Sequence, residues 1–143
     1  MTVRAWDEKD LDTLAEMERE CFSDPWTRDM LADVLRFPVY HTFLIEEGGQ
    51  VCGYACSSIL FEESEVLNVA VKTAMRGQGI GKLLMEAMHE RAKSLGAEIS
   101  LLEVRPSNLS AIGLYKKYGY APYGVRAKYY ADGEDAILMK KTL

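Results

Sequence analysis

The sequence predicts a mixed α/β fold, one central sheet of about seven strands flanked by about four helices. Three observations lead there. Apolar spacing switches along the chain between period two and period 3.6, giving the order strand, two helices, three strands, helix, strand, helix, two strands. The first strands are joined by a short turn, which requires antiparallel neighbours, and the later ones are separated by helices, which permits parallel ones. Finally, 143 residues with 48% apolar and 27% charged side chains suit one ordinary globular domain, spanning residues 1–143.

Each element has its own signal. Thr2 to Trp6 alternates like a short strand, and Asp7 opens a helix with Leu11, Leu14, Ala15, Cys21 and Phe22 at helical spacing. Ser23-Asp24-Pro25-Trp26 ends it, and a second helix from about Thr27 to Phe37 stops before Pro38. Tyr40 to Ile45 and Val51 to Phe61 form a hairpin around Glu47-Gly48-Gly49-Gln50, followed by a strand from Glu65 to Lys72. Ile80, Leu83, Leu84, Ala87, Met88, Ala92 and Leu95 share one helical face, with Gly96 placed for a left-handed C-cap. Ile99 to Val104 reads as a buried strand, and Ser107 or Asn108 caps a short helix running to Tyr118 and ended by Gly119. Two strands, about Tyr120 to Tyr130 and Ala136 to Lys141, flank the Asp132-Gly133-Glu134 turn.

Composition excludes several functions. Seventeen basic against twenty-two acidic side chains give a net charge of −5, unsuited to coating a phosphate backbone, so no direct nucleic-acid binding is expected. No apolar run approaches the ~20 residues that span a bilayer, and Met1 to Glu20 lacks a signal-peptide core, so a cytoplasmic protein without membrane contact is expected. Cys21, Cys52 and Cys56 form no Cys-x-x-Cys pair, and with only His41 and His89 beside them no metal is expected. These residues read as buried thiols and surface imidazoles.

The most specific segment runs from Asn68 to Leu84 and places Gly77, Gly79 and Gly81 between a strand and an amphipathic helix. Free amides at a helix start bind anions, glycines let the backbone approach phosphate oxygens, and Arg76 and Lys82 add positive charge. A strand-to-helix turn that needs glycines for its own geometry explains the same residues. The spacing matches neither a Walker loop nor a dinucleotide fingerprint.

Arg76-Gly77-Gln78-Gly79-Ile80-Gly81 resembles the Q/R-x-x-G-x-G/A signature of the GCN5-related N-acetyltransferases, and the element order resembles that fold over essentially the whole chain. The resemblance implies acetyl-CoA as co-substrate. Its pyrophosphate would lie on Arg76, Gly77, Gln78, Gly79, Ile80, Gly81 and Lys82, and its pantetheine arm along Val69, Ala70 and Val71. Asp24-Pro25-Trp26-Thr27, Leu102-Glu103-Val104-Arg105-Pro106-Ser107-Asn108 and Tyr129-Tyr130 with Glu134-Asp135-Ala136 resemble the branch that acetylates an N-terminal alanine of a ribosomal protein. Pro106 departs from that branch, where a small residue is more usual.

By this resemblance Glu103 is the general base, Tyr115 the general acid, and Asn108 a ligand of the pantetheine side. Tyr129 and Tyr130 would hold the peptide backbone, and Trp26 would line the opposite wall. Each position has a plainer reading. Glu103 can be a solvated or ion-paired strand end, Tyr115 a half-buried core aromatic, and Asn108 an N-cap. Tyr129 and Tyr130 can be ordinary strand residues, Trp26 a helix anchor, and Glu134 and Asp135 either a contact for a cationic terminus or the end of a turn. The implied partner is a protein N-terminus. A lysine side chain, polyamine or other small amine, or a non-catalytic acetyl-CoA-binding role, stays open, and a monomer is compatible with the chain.

Overall fold

The computed structural model describes all 143 residues, Met1–Leu143. Strands β1 (Thr2–Arg4), β2 (Tyr40–Glu47), β3 (Gln50–Leu60), β4 (Glu63–Val71), β5 (Ile99–Val104), β6 (Ala121–Arg126) and β7 (Ala136–Thr142) form one sheet. Its order is β1-β2-β3-β4-β5-β7-β6. Every neighbouring pair is antiparallel except β4 with β5. Helices α1 (Leu11–Cys21), α2 (Arg28–Arg36), α3 (Ile80–Ser94) and α4 (Leu109–Lys117) complete the expected order. None is long and apolar enough to cross a membrane.

Caps and stops fall where the sequence puts them. Thr27 caps α2 through its side chain, Asn108 Oδ1 accepts the Ala111 amide at 3.2 Å to start α4, and Gly96 and Gly119 adopt φ of +90° and +91°. At the amino-terminal end the expectation needs a correction. Asp7 caps a single 3-10 turn, Glu8–Asp10, and α1 begins at Leu11, because the Asp10 side chain folds back onto the Asp7 amide at 2.7 Å and onto Arg4.

The two faces of the sheet carry separate cores. Helices α3 and α4 cover one built from Phe43, Ile45, Val66, Leu84, Leu102, Val104 and Met139, among others. Helices α1 and α2 cover the other, with Leu14, Leu31, Leu44, Tyr54, Cys56 and Ala70. The first core is tightest at Gly53, where a Cβ would stand 2.8 Å from Ile80 Cγ2 and 2.9 Å from the Ala70 carbonyl oxygen. The α3 stripe is rotated from the expected one. Leu95 is exposed, while Met85 and His89 are buried, so His89 is no surface imidazole. It is held inside by its bond to the Tyr120 hydroxyl at 2.7 Å.

The feature that shapes the site is the short pairing of β4 with β5. Only Glu63 to Val66 are registered against Ile99 to Leu102. Next to it the β3–β4 register shifts, Ser57 facing Val66 and Cys56 facing Asn68, which leaves Leu67 as an extra residue. Such a bulge bends its strand. Beyond it Asn68 to Val71 part from β5, and Glu103 and Val104 have no partner on that side. A gap opens between the two strands.

Candidate active site

Backbone groups of β4 line one side of the gap. Lys72 donates to the Cys52 carbonyl of β3 at 2.8 Å. Antiparallel pairs alternate, so Ala70 also turns its amide and carbonyl toward β3, whereas Val69 and Val71 turn theirs to the gap. The Val71 carbonyl meets the Cys21 thiol at 3.8 Å and the Arg76 guanidinium at 3.4 Å, which folds Arg76 back along the loop. Of the three residues expected to offer backbone to a cofactor arm, Val69 has both groups free, Val71 keeps its amide while Cys21 and Arg76 occupy its carbonyl, and Ala70 is paired with β3.

The glycine loop leads directly into α3. Gly79 is its N-cap at φ +82°, a conformation open to glycine at little cost, and no side chain caps the helix. The first amides of a 15-residue helix therefore have no side-chain acceptor, and they carry the positive end of the helix dipole. A Cβ on Gly81 would stand 3.3 Å from Leu114 Cδ2, so glycine there keeps α3 close to α4. Uncapped amides, open glycines and the charges of Arg76 and Lys82 fit the pyrophosphate of a coenzyme A thioester. The free backbone of Val69 and the amide of Val71 fit its amide-bearing arm. Asn108 spends its Oδ1 on the Ala111 amide and stands where α4 begins, at the carboxyl end of β5.

Glu103 and Tyr115 belong to opposite faces of the sheet. Leu102 and Val104 point into the core under α3 and α4, so Glu103, between them, leaves on the other face. Its side chain is 20% exposed, with Arg126 Nη1 at 3.8 Å from Oε1. Tyr115, on α4, is buried in the first core with its ring 5.8 Å from that of Tyr120. Burial is the main reason its phenol is held well above the ordinary value, and Tyr120 and Tyr130 add to it. Glu65, on β4, faces the same side as Glu103. Burial and then the Glu103 charge raise its carboxyl, against Arg126.

Tyr129 and Tyr130 correct the sequence reading. Strand β6 ends at Arg126, and the pair lies in the following loop, because partners distant in sequence fold that segment into turns. Asp135 Oδ1 accepts the Lys128 amide at 2.9 Å, and the Glu134 carbonyl accepts the Tyr130 amide at 3.1 Å. The Glu134 carboxylate then joins the loop to the end of β5, accepting from Arg105 at 3.0 Å and from the amide and hydroxyl of Ser107 at 2.9 and 3.0 Å. Arg105 also bonds Asp132 at 2.7 Å and stacks 4.0 Å above the Tyr130 ring. Glu134 and Asp135 thus build the loop. The loop in turn brings both tyrosines to Glu103: interaction with that carboxylate is the first cause raising Tyr129, and its charge adds to the burial that raises Tyr130.

Trp26 is half-buried, and its ring packs against the second core, so it anchors the segment between α1 and α2. Its amide donates to Glu18 Oε1 at 2.9 Å. Glu18 is a residue sequence reasoning missed, although it falls on the same helical stripe as Leu11, Leu14 and Ala15. A charged residue on an apolar stripe is the signal that could have found it.

Known proteins share this fold. The Acetyltransferase (GNAT) family matches residues 11–120. A Bacillus subtilis protein assigned, provisionally, as a [ribosomal protein bS18]-alanine N-acetyltransferase is 39% identical over 94% of this chain and 91% of its own. The Escherichia coli (strain K12) [ribosomal protein bS18]-alanine N-acetyltransferase is 30% identical over 96% of this chain and 95% of its own. Among solved structures, the ribosomal-protein-S18-alanine N-acetyltransferase from Escherichia coli superimposes with a TM-score of 0.89 at 29% identity, covering 99% of this chain and 92% of that one. The family model spans most of the chain and these relatives cover nearly all of it, so the chain belongs to the acetyltransferase (GNAT) family.

Proposed function

We propose that the protein transfers the acetyl group of acetyl-CoA to the N-terminal α-amine of a protein, an alanine-starting small-subunit ribosomal protein. The observation that carries this reading is the tyrosine loop, clamped against the end of β5 by Glu134, with both tyrosines near enough to Glu103 for its charge to raise their phenols. Such a wall suits an extended backbone better than a small polyamine. The relatives that act on an N-terminal alanine support the same choice.

The glycine loop, the start of α3 and the backbone of Val69 and Val71 would hold the coenzyme. When bound it supplies an activated acyl group on sulfur. The chain's residues move the protons. A peptide α-amine has a pKa of about 7.7–8.0, so Glu103 need be only a modest base to take its proton, directly or through a water. The C–N bond then forms and the C–S bond breaks without a covalent acyl-enzyme. Tyr115 gives its hydroxyl proton to the departing sulfur and is reprotonated through solvent as the newly acylated nitrogen sheds its second proton. Burial keeps that phenol protonated at neutral pH, the state a proton donor needs.

The test is release of coenzyme A with three acceptors: a peptide with a free N-terminal alanine, the same peptide N-blocked with an internal lysine, and spermidine. Turnover is expected on the free alanine terminus alone, falling about a hundredfold or more in Glu103→Gln and in Tyr115→Phe. Turnover on spermidine or lysine would move the substrate to the side-chain or small-amine class, a reading that the shared face of Glu65 and Glu103 would then explain.

A further inference from the structure

Helix α1 buries one charge. Glu18 is 1% exposed, and none of the chain's ion pairs includes it. Its carboxylate instead collects donors from three separate elements. The Trp26 amide donates to Oε1 at 2.9 Å, Asn68 Nδ2 donates to Oε2 at 2.7 Å, and the Tyr54 hydroxyl donates to the same Oε2. A carboxylate accepts and does not donate, so it dictates the direction of each of these bonds.

For the Trp26 amide and the Tyr54 hydroxyl, donation is routine. For Asn68 it settles a choice. A carboxamide can turn either end toward a neighbour, and an acceptor-only neighbour takes the nitrogen. The oxygen is thereby directed away from Glu18, and it makes no hydrogen bond within the protein. Asn68 stands immediately past the bulge of β4, two residues beyond the last one paired with β5. Its side chain lies on the face of the sheet that also carries Glu103. Donation to an uncompensated anion polarises the amide and makes its oxygen a stronger acceptor.

We propose that Asn68 Oδ1 accepts a hydrogen bond from the incoming amine, and that Glu18 is the positioning residue that holds it in that orientation. The inference rests on the gap being the amine site of the proposed function. An α-ammonium brings three N–H groups. One proton leaves toward Glu103, and a second N–H directed at Asn68 Oδ1 fixes the rotation of the nitrogen, so that its lone pair faces the acyl carbon.

The experiment is steady-state kinetics over both peptide and acetyl-CoA concentration for the wild type, Asn68→Ala, Glu18→Gln and the double variant, with thermal melts in parallel. Asn68→Ala is expected to lower kcat/KM for the alanine peptide about tenfold with the KM for acetyl-CoA unchanged. Glu18→Gln is expected to lower it by a similar factor, and the double variant should be no worse than the poorer single one, because both changes remove the same bond. Wild-type kcat/KM in Asn68→Ala would overturn the proposal, as would losses that multiply in the double variant or a defect confined to acetyl-CoA. If Glu18→Gln does not fold, Glu18→Asp takes its place. It keeps the charge, so recovery of activity in proportion to folded protein supports the orienting role, and a loss matching Asn68→Ala in fully folded protein overturns it.

Failure of the underlying reading is seen separately, in the wild type. If the wild type uses lysine or spermidine and not the peptide, the same variants are compared on that acceptor, since the inference concerns the nitrogen and not its carrier. A wild type silent on all three acceptors overturns both.

Discussion

Each face of the sheet encloses one buried polar network, and the two differ in charge and in where they end. Under α3, the Tyr120 hydroxyl lies 2.7 Å from His89 Nε2 and 2.6 Å from Ser100 Oγ, all three residues buried. Burial pushes His89 down to about 4, helped by Lys141 and Lys93, and pushes Tyr120 up to about 12. At neutral pH this network is uncharged, and it ends inside the core. Under α1, the Glu18 network is built around an anion, and its outermost member, Asn68, reaches the gap. A closed neutral network contributes packing and register. An open one centred on a charge costs more to bury and transmits an orientation to the place where bonds change.

Removing the charged centre is the strongest way to test that contrast. Glu18→Ala leaves two buried or half-buried donors and a backbone amide without their acceptor, together with a cavity, and is expected to cost about 4 kcal/mol. In a chain of this length that lowers the melting temperature on the order of 10 °C. A urea titration showing a loss below about 1 kcal/mol would erase the distinction between the faces.

The neutral network has a pH signature instead. His89 binds its proton more weakly folded than unfolded, so its contribution is complete above about 6.5 and is lost as pH falls through about 4. The unfolded chain takes up the proton first, and about 3 kcal/mol is lost across that window. In His89→Gln the stability curve between pH 6.5 and 4 should flatten, and an unchanged slope would place the titration elsewhere.

The smallest effect separates structure from function. Tyr120→Phe keeps the ring and removes the shared hydroxyl, which should cost about 1–2 kcal/mol. Peptide kcat/KM should stay within about twofold of wild type when assayed well below the melting temperature. A large kinetic loss there would show that the network under α3 also serves the gap.

Much of the fold was legible because its signals are local. Asp7, Thr27 and Asn108 each cap the helical turn beginning at the next residue, Pro38 stops a helix, and Gly96 and Gly119 adopt the left-handed turn that ends one. The glycine loop and the strand carrying Glu103 were legible for the same reason. What the sequence concealed depends on partners far away along the chain. Tyr129 and Tyr130 have strand propensity, yet Glu134 with Arg105 and Ser107, across up to 29 residues, holds their segment as a loop. The gap depends on a bulge and on the β4–β5 pairing stopping at Val66, which no local pattern encodes. Glu18 is an intermediate case. Its place on the apolar stripe of α1 was readable, but two of its three partners lie 36 and 50 residues away.

Under the proposed function, the Glu134 clamp on the tyrosine loop would also set the thermodynamics of substrate capture. A segment joined to the β5 end by Arg105 and Ser107, with Tyr130 stacked under the guanidinium, gives up its backbone freedom when the chain folds. If this loop is the peptide wall of the proposed function, an arriving peptide meets it already in place and loses mainly its own freedom. Capture should therefore proceed in one kinetic phase, with a heat-capacity change set by the surface covered and no added component from a loop that folds on contact.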